Sequence, residues 1–107
     1  MSQITNEFDL GNQALKTQDY LKAAVHFEKE CKIRIQKFGS DSVQVADITV
    51  LLGDVYSRLN KYRDTMSNYK KALDIRLKRF GATDLGAGDL YTKIGQAHQN
   101  EELYEEA

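Results

Sequence analysis

Leu52-Gly53-Asp54-Val55-Tyr56-Ser57-Arg58-Leu59-Asn60-Lys61-Tyr62-Arg63-Asp64-Thr65-Met66-Ser67-Asn68-Tyr69 is the stretch whose reading decides the fold. Its landmarks recur at a step of 42 residues: Gly11, Gly53 and Gly95, then Tyr20, Tyr62 and Tyr104. Phe27 returns as Tyr69, Ile33 as Ile75, Arg34 as Arg76, and Phe38-Gly39 as Phe80-Gly81. Leu10, Leu52 and Ile94 precede the three glycines. A fixed period of this size marks a solenoid, in which each unit buries its apolar face against its neighbours. Function then resides on an extended surface rather than at one reacting atom.

Each period reads as two helices. In the second unit, Val45, Ile48, Leu51, Leu52, Val55, Tyr56 and Leu59 recur at three- and four-residue steps, which predicts a helix from about Val43 to Leu59. Met66, Tyr69, Ala72, Leu73, Ile75, Leu77 and Phe80 predict a second helix from about Tyr62 to Phe80. Only Asn60-Lys61 remains for the turn, so the two helices pack antiparallel. Asp41 with Gln44 suggests a capping box at the first helix, and Gly39 and Gly81 suggest left-handed C-caps. The first unit copies this over Ile4–Lys16 and Asp19–Phe38. In the third, Gly86 and Gly88 predict a late start near Ala87 after a loose linker, and Tyr104-Glu105-Glu106-Ala107 reads as the first turn of a further helix.

These residues resemble the tetratricopeptide repeat. Its small-aromatic ladder is matched by Leu10-Gly11, Leu52-Gly53 and Ile94-Gly95, by Tyr56, and by Tyr20-Leu-Lys-Ala23 with Phe27. Tyr62-Arg-Asp-Thr65 with Tyr69 matches with Thr in place of Ala. The common period is about 34 residues, and eight more are roughly two helical turns. The longer form resembles the repeats of kinesin light chains: Lys71-Ala-Leu-Asp-Ile-Arg-Leu-Lys-Arg-Phe-Gly81 is similar to their KALEIREKxLG segment, and Gly39–Ala46 to their GxDHPxVA linker without its His-Pro. The resemblance implies an all-α, right-handed superhelix of antiparallel helix pairs. It forms a single domain over 1–107 of about two and a half repeats: 4–39, 43–81 and a partial 85–107.

The resemblance also places a partner-binding groove along the first helix of each unit, in three rows. One is Phe8, Val50 and Thr92; the next is Asn12, Asp54 and Gln96; the last is Leu15/Lys16, Ser57/Arg58 and Gln99/Asn100. An apolar lip, an amide floor and a cationic edge suit a peptide of mixed character. Phe8, Val50 and Thr92 stand where kinesin light chains carry groove asparagines, so that ladder is absent. Of the residues with which related repeats grip a terminal carboxylate, Asn12 alone remains.

Chemistry at a site is poorly supported. His26, His98 and Cys31 lack metal-ligand spacing, no phosphate loop follows a strand, and no acidic pair converges with a base. We expect no enzyme activity, no cofactor and no metal. Cys31 maps onto Leu73 and reads as a small core residue; a single cysteine fits a reducing, cytoplasmic setting, with a cytoskeletal or ciliary one open. No apolar run approaches a membrane span, and the opening residues lack the basic-then-apolar pattern of a secretory signal. A net charge of −1 argues against nucleic acid as partner.

Charge is uneven: Arg58–Arg79 holds eight basic and two acidic residues, while from Asp84 onward six acidic residues face one lysine. This suggests head-to-tail attraction between chains, or an acidic partner for the second repeat. The third unit's Tyr91, Ile94 and Ala97 form a stripe expected to be exposed, as an interface for self-association or a neighbouring subunit. Three functions follow: a non-catalytic adaptor, a structural subunit docked in a cytoskeletal or ciliary array through its convex basic helices, or the regulatory segment of a longer enzyme or sensor.

Overall fold

The computed structural model describes residues 6–106. Among them are five helices: α1 (Glu7–Lys16), α2 (Tyr20–Phe38), α3 (Val43–Arg58), α4 (Tyr62–Phe80) and α5 (Leu85–Glu106). The main packing runs between helices adjacent in sequence: α1 on α2, α2 on α3, α3 on α4 and α4 on α5. The body is elongated, 52 × 35 × 19 Å, as a stack of helix pairs should be. The expected first-helix start at Ile4 lies outside the described residues.

The period is written into the backbone as well as the side chains. Gln18 and Asn60, one period apart, both turn the chain with φ of 60°. Gly39 and Gly81 end the two long helices with φ of 93° and 88°. Their ψ values of 156° and 176° differ from the helical left-handed cap expected, and lie in a region that essentially only glycine occupies. Each of these glycines still donates its N–H to the carbonyl four residues back, Ile35 and Leu77 respectively.

The core forms where the glycines admit rings. A Cβ on Gly11 would fall 2.5 Å from Phe27 Cε1, and one on Gly53 would overlap the Tyr69 ring. Phe27 is fully buried and Tyr69 is nearly so, beside Ile48, Leu52, Val55 and Ile75. Each such side chain contributes roughly 1.5–3 kcal/mol by leaving water. Cys31 lies in this core, in place of the next unit's leucine.

Three expectations are corrected. Helix α3 is capped by Ser42, whose Oγ accepts the Val45 N–H at 3.2 Å, and not by Asp41. Asp41 instead offers its carbonyl to Arg79 Nε at 3.0 Å. Helix α5 begins at Leu85, ahead of both glycines, because Asp84 caps it by accepting the Ala87 N–H at 2.9 Å. Asp84 stands one period after Ser42 and takes the same role. Arg76 holds it in place, with Nε 2.7 Å and Nη2 3.2 Å from its two oxygens. A Cβ on Gly86 would overlap the Arg76 guanidinium in this position. The linker is therefore pinned. Thirdly, the chain does not turn after Glu101: α5 continues through the position where the first two units reverse, so Tyr104–Glu106 extend it instead of opening another helix. The residue equivalent to Asn60 is Glu102, a good helix former.

Arg34, one period before Arg76, makes the matching junction. Its Nε meets Glu30 at 2.8 Å, its Nη1 donates to the Gln44 carbonyl at 2.9 Å, and its guanidinium covers the Phe8 ring. One arginine per unit thus ties the second helix to the start of the next.

Candidate partner-binding groove

Helices α3 and α5 flank an open concavity of about 640 Å³. Five residues expected in the groove line it together: Asp54, Ser57, Arg58, Gln96 and Asn100. Asn60, Tyr69, Lys93 and Ala97 complete its wall. At its base the Tyr69 hydroxyl donates to Asp54 Oδ1 at 2.5 Å, and Lys93 Nζ reaches the same oxygen at 3.0 Å. The ammonium also stands 5.9 Å from the centre of the Tyr69 ring. Burial, then the bond to Asp54, pushes the Tyr69 phenol well above its ordinary range, so it remains a donor. This bonded trio carries charge on both partners and leaves the amides around it to contact a ligand.

An adjoining concavity of about 460 Å³ shares Ser57, Asn60, Ala97 and Asn100 and extends to Tyr62, Thr65, Glu101 and Leu103. Here the Tyr62 hydroxyl and His98 Nδ1 lie 2.6 Å apart, joining α4 to α5. One period before His98, Tyr56 donates to Glu28 at 2.6 Å and joins α3 to α2. Burial, then that bond, raises the Tyr56 phenol in the same way.

The first unit contributes differently. Phe8 packs on Phe27 with ring centres 6.1 Å apart, and Leu15 and Val50 are half-buried against the core. Asn12 is half-buried, and Lys16 is exposed, as are Thr92 and Gln99; the Thr92 hydroxyl turns back to the Gly88 carbonyl. Phe8, Asn12, Leu15 and Lys16 do not line the α3–α5 concavity, nor do Val50, Thr92 and Gln99. The apolar lip is thus largely spent on packing. Lys93 and Tyr69 are the additions. Tyr69 carries the core aromatic signature, which hides that its hydroxyl emerges at the groove floor, and Lys93 carries no motif.

The stripe on α5 also needs correction. Tyr91 is 56% exposed, but Ala97 is buried and Ile94 packs against the core. Ala87, Leu90, Ile94 and Ala97 form the inward face at helical spacing, and Tyr91 lies about 100° round from Leu90. The outward face of α5 is Gly88, Tyr91 and Gly95. Their equivalents in α3 include Ala46 and Thr49, which are buried at 0% and 1%.

Among the described residues, no group of three or more His, Cys, Asp or Glu side chains could hold a metal ion, and no helix is long and apolar enough to cross a membrane. His26 Nδ1 is taken by Glu7 at 2.6 Å.

Helix pairs stacked through a glycine–aromatic joint, with a polar concavity along the first helices, define an all-α repeat solenoid. A family model described as tetratricopeptide repeat matches residues 2–78, well over half of the chain, and the protein belongs to that family. No curated protein and no solved structure matches the chain. Tetratricopeptide repeats generally mediate protein–protein interaction and are generally non-catalytic.

Proposed function

We propose that this protein is a non-catalytic adaptor of the long, kinesin-light-chain-like kind, working in the cytoplasm inside a larger complex. It grips a peptide or protein segment in the groove between α3 and α5. The reading rests on the concavity itself. Asn60, Gln96, Asn100 and Ser57 present amide and hydroxyl groups able to pair with peptide backbone, around a floor held by Tyr69, Asp54 and Lys93. Arg58 supplies a cation at the edge. The 42-residue form is supported by the second helices, 19 residues each, which carry the added length.

Affinity purification from native cells, with mass spectrometry, tests this reading by comparing the wild type with an Arg58→Glu/Asn100→Arg variant. Both side chains are exposed, so helicity should be unchanged. Loss of a specific partner supports groove binding; recovery of the same partners by both proteins contradicts it.

A further inference from the structure

Charge in this molecule sorts by helix type. The second helices, α2 and α4, hold eleven Lys/Arg and four Asp/Glu, a net of +7. The first helices, α1, α3 and α5, hold three Lys/Arg and nine Asp/Glu, a net of −6. Lys22, Lys29, Lys32, Arg63, Lys70 and Lys71 are all exposed on α2 and α4 and, among the described residues, form no ion pair. Beside them Leu21 and Val25 are exposed at 64% and 52%, one turn apart on α2.

The complement of this face lies on the same chain. Helix α5 runs on past the point where the first two units turn back, and Glu101 and Leu103 near its end line the rim of the adjoining concavity. That end carries Glu101 and Glu102, and Leu103 on it is 65% exposed. The negative end of the helix dipole adds to its charge.

We infer that the acidic end of α5 docks on the basic outer face of α2 and α4 of a second copy, with Leu103 meeting Leu21 and Val25. The two surfaces differ, so the contact is head-to-tail and open-ended. Charge steers it and salt screens it. An anionic membrane fits the basic face less well: on α4 the equivalents of Leu21 and Val25 are Arg63 and Ser67, so no apolar band runs across the two helices.

Sedimentation of the full chain from about 10 µM to about 1 mM at low ionic strength tests the contact. The expected result is a mass that rises with concentration and falls to the monomer in about 0.5 M salt. Lys29→Gln/Lys70→Gln/Lys71→Gln removes one surface, and Glu101→Gln/Glu102→Gln removes the other. Each variant alone should be monomeric. Mixed, they should form a one-to-one dimer that grows no further, because each retains one intact surface. A monomeric wild type overturns the inference, including one whose α2 and α4 bind a polyglutamate peptide or phosphatidylserine vesicles. So does association that persists in either single-surface variant, and so does a mixture that yields no dimer.

Discussion

The Tyr69 ring lies directly against Gly53, leaving no room for a Cβ between them, while the equivalent position of α5, Gly95, has no neighbour within 4 Å of such an atom. The same glycine therefore serves two energetic roles in one chain. Gly53→Ala should destabilise the fold by about 1–3 kcal/mol, through overlap with the ring. Gly95→Ala should be neutral or stabilise by up to about 1 kcal/mol, because the helix gains propensity with nothing to displace. Urea denaturation of the two variants checks this, and equal losses would contradict the ladder.

The cap of α3 separates two adjacent residues. Ser42→Ala should cost about 1 kcal/mol, since the Val45 N–H loses its side-chain acceptor in a buried setting. Asp41→Ala should stay within about 0.5 kcal/mol, because only its backbone carbonyl is used. Thermal melts of both variants give the comparison.

Acid should loosen the junction between α4 and α5. The Arg76 guanidinium holds the Asp84 carboxyl below its ordinary value of 3.8, so folding favours the charged form. The resulting stability is complete above the unfolded value and is lost as pH falls through the lower folded one. Asp84→Asn should be less stable than the wild type at neutral pH, and the two should converge in strong acid. A constant difference across that range would show that Asp84 acts without its charge.

Cys31 should behave as core and not as a nucleophile. Burial, chiefly, pushes its thiol above the ordinary value of 9.0, which lowers the thiolate fraction at neutral pH. Alkylation should be slow in the folded protein and rise sharply in denaturant; equal rates would place Cys31 at an accessible surface.

How far the sequence discloses this molecule depends on which forces act locally. The helix pairs, the Gly11–Phe27 and Gly53–Tyr69 joints and the turn at Asn60 are legible, because packing repeated at a fixed step leaves repeated residues. Helix limits are legible to about a residue where a glycine follows, as at Phe38 and Phe80. The start of α5 is not, since two glycines argue against it locally and Arg76, eight residues before Asp84, overrides them. The choice of Ser42 over Asp41 turns on a single bond. In the groove, Asp54, Ser57, Arg58, Gln96 and Asn100 follow from the resemblance to the tetratricopeptide repeat, which puts the groove along the first helices. Lys93 has no sequence signal, because its role depends on Asp54, 39 residues away. The burial of Ile94 and Ala97 is not legible, because a stripe of apolar residues does not reveal which side of a helix its neighbour occupies.

The central claim, a partner held between α3 and α5, is tested most directly by photo-crosslinking in native extract. A photoreactive residue at Gln96, on the groove wall, is compared with one at Ser67, exposed on the outer face of α4. The account predicts a discrete crosslinked protein from position 96 that disappears with Arg58→Glu/Asn100→Arg. The same protein captured from position 67 and never from position 96 would contradict it.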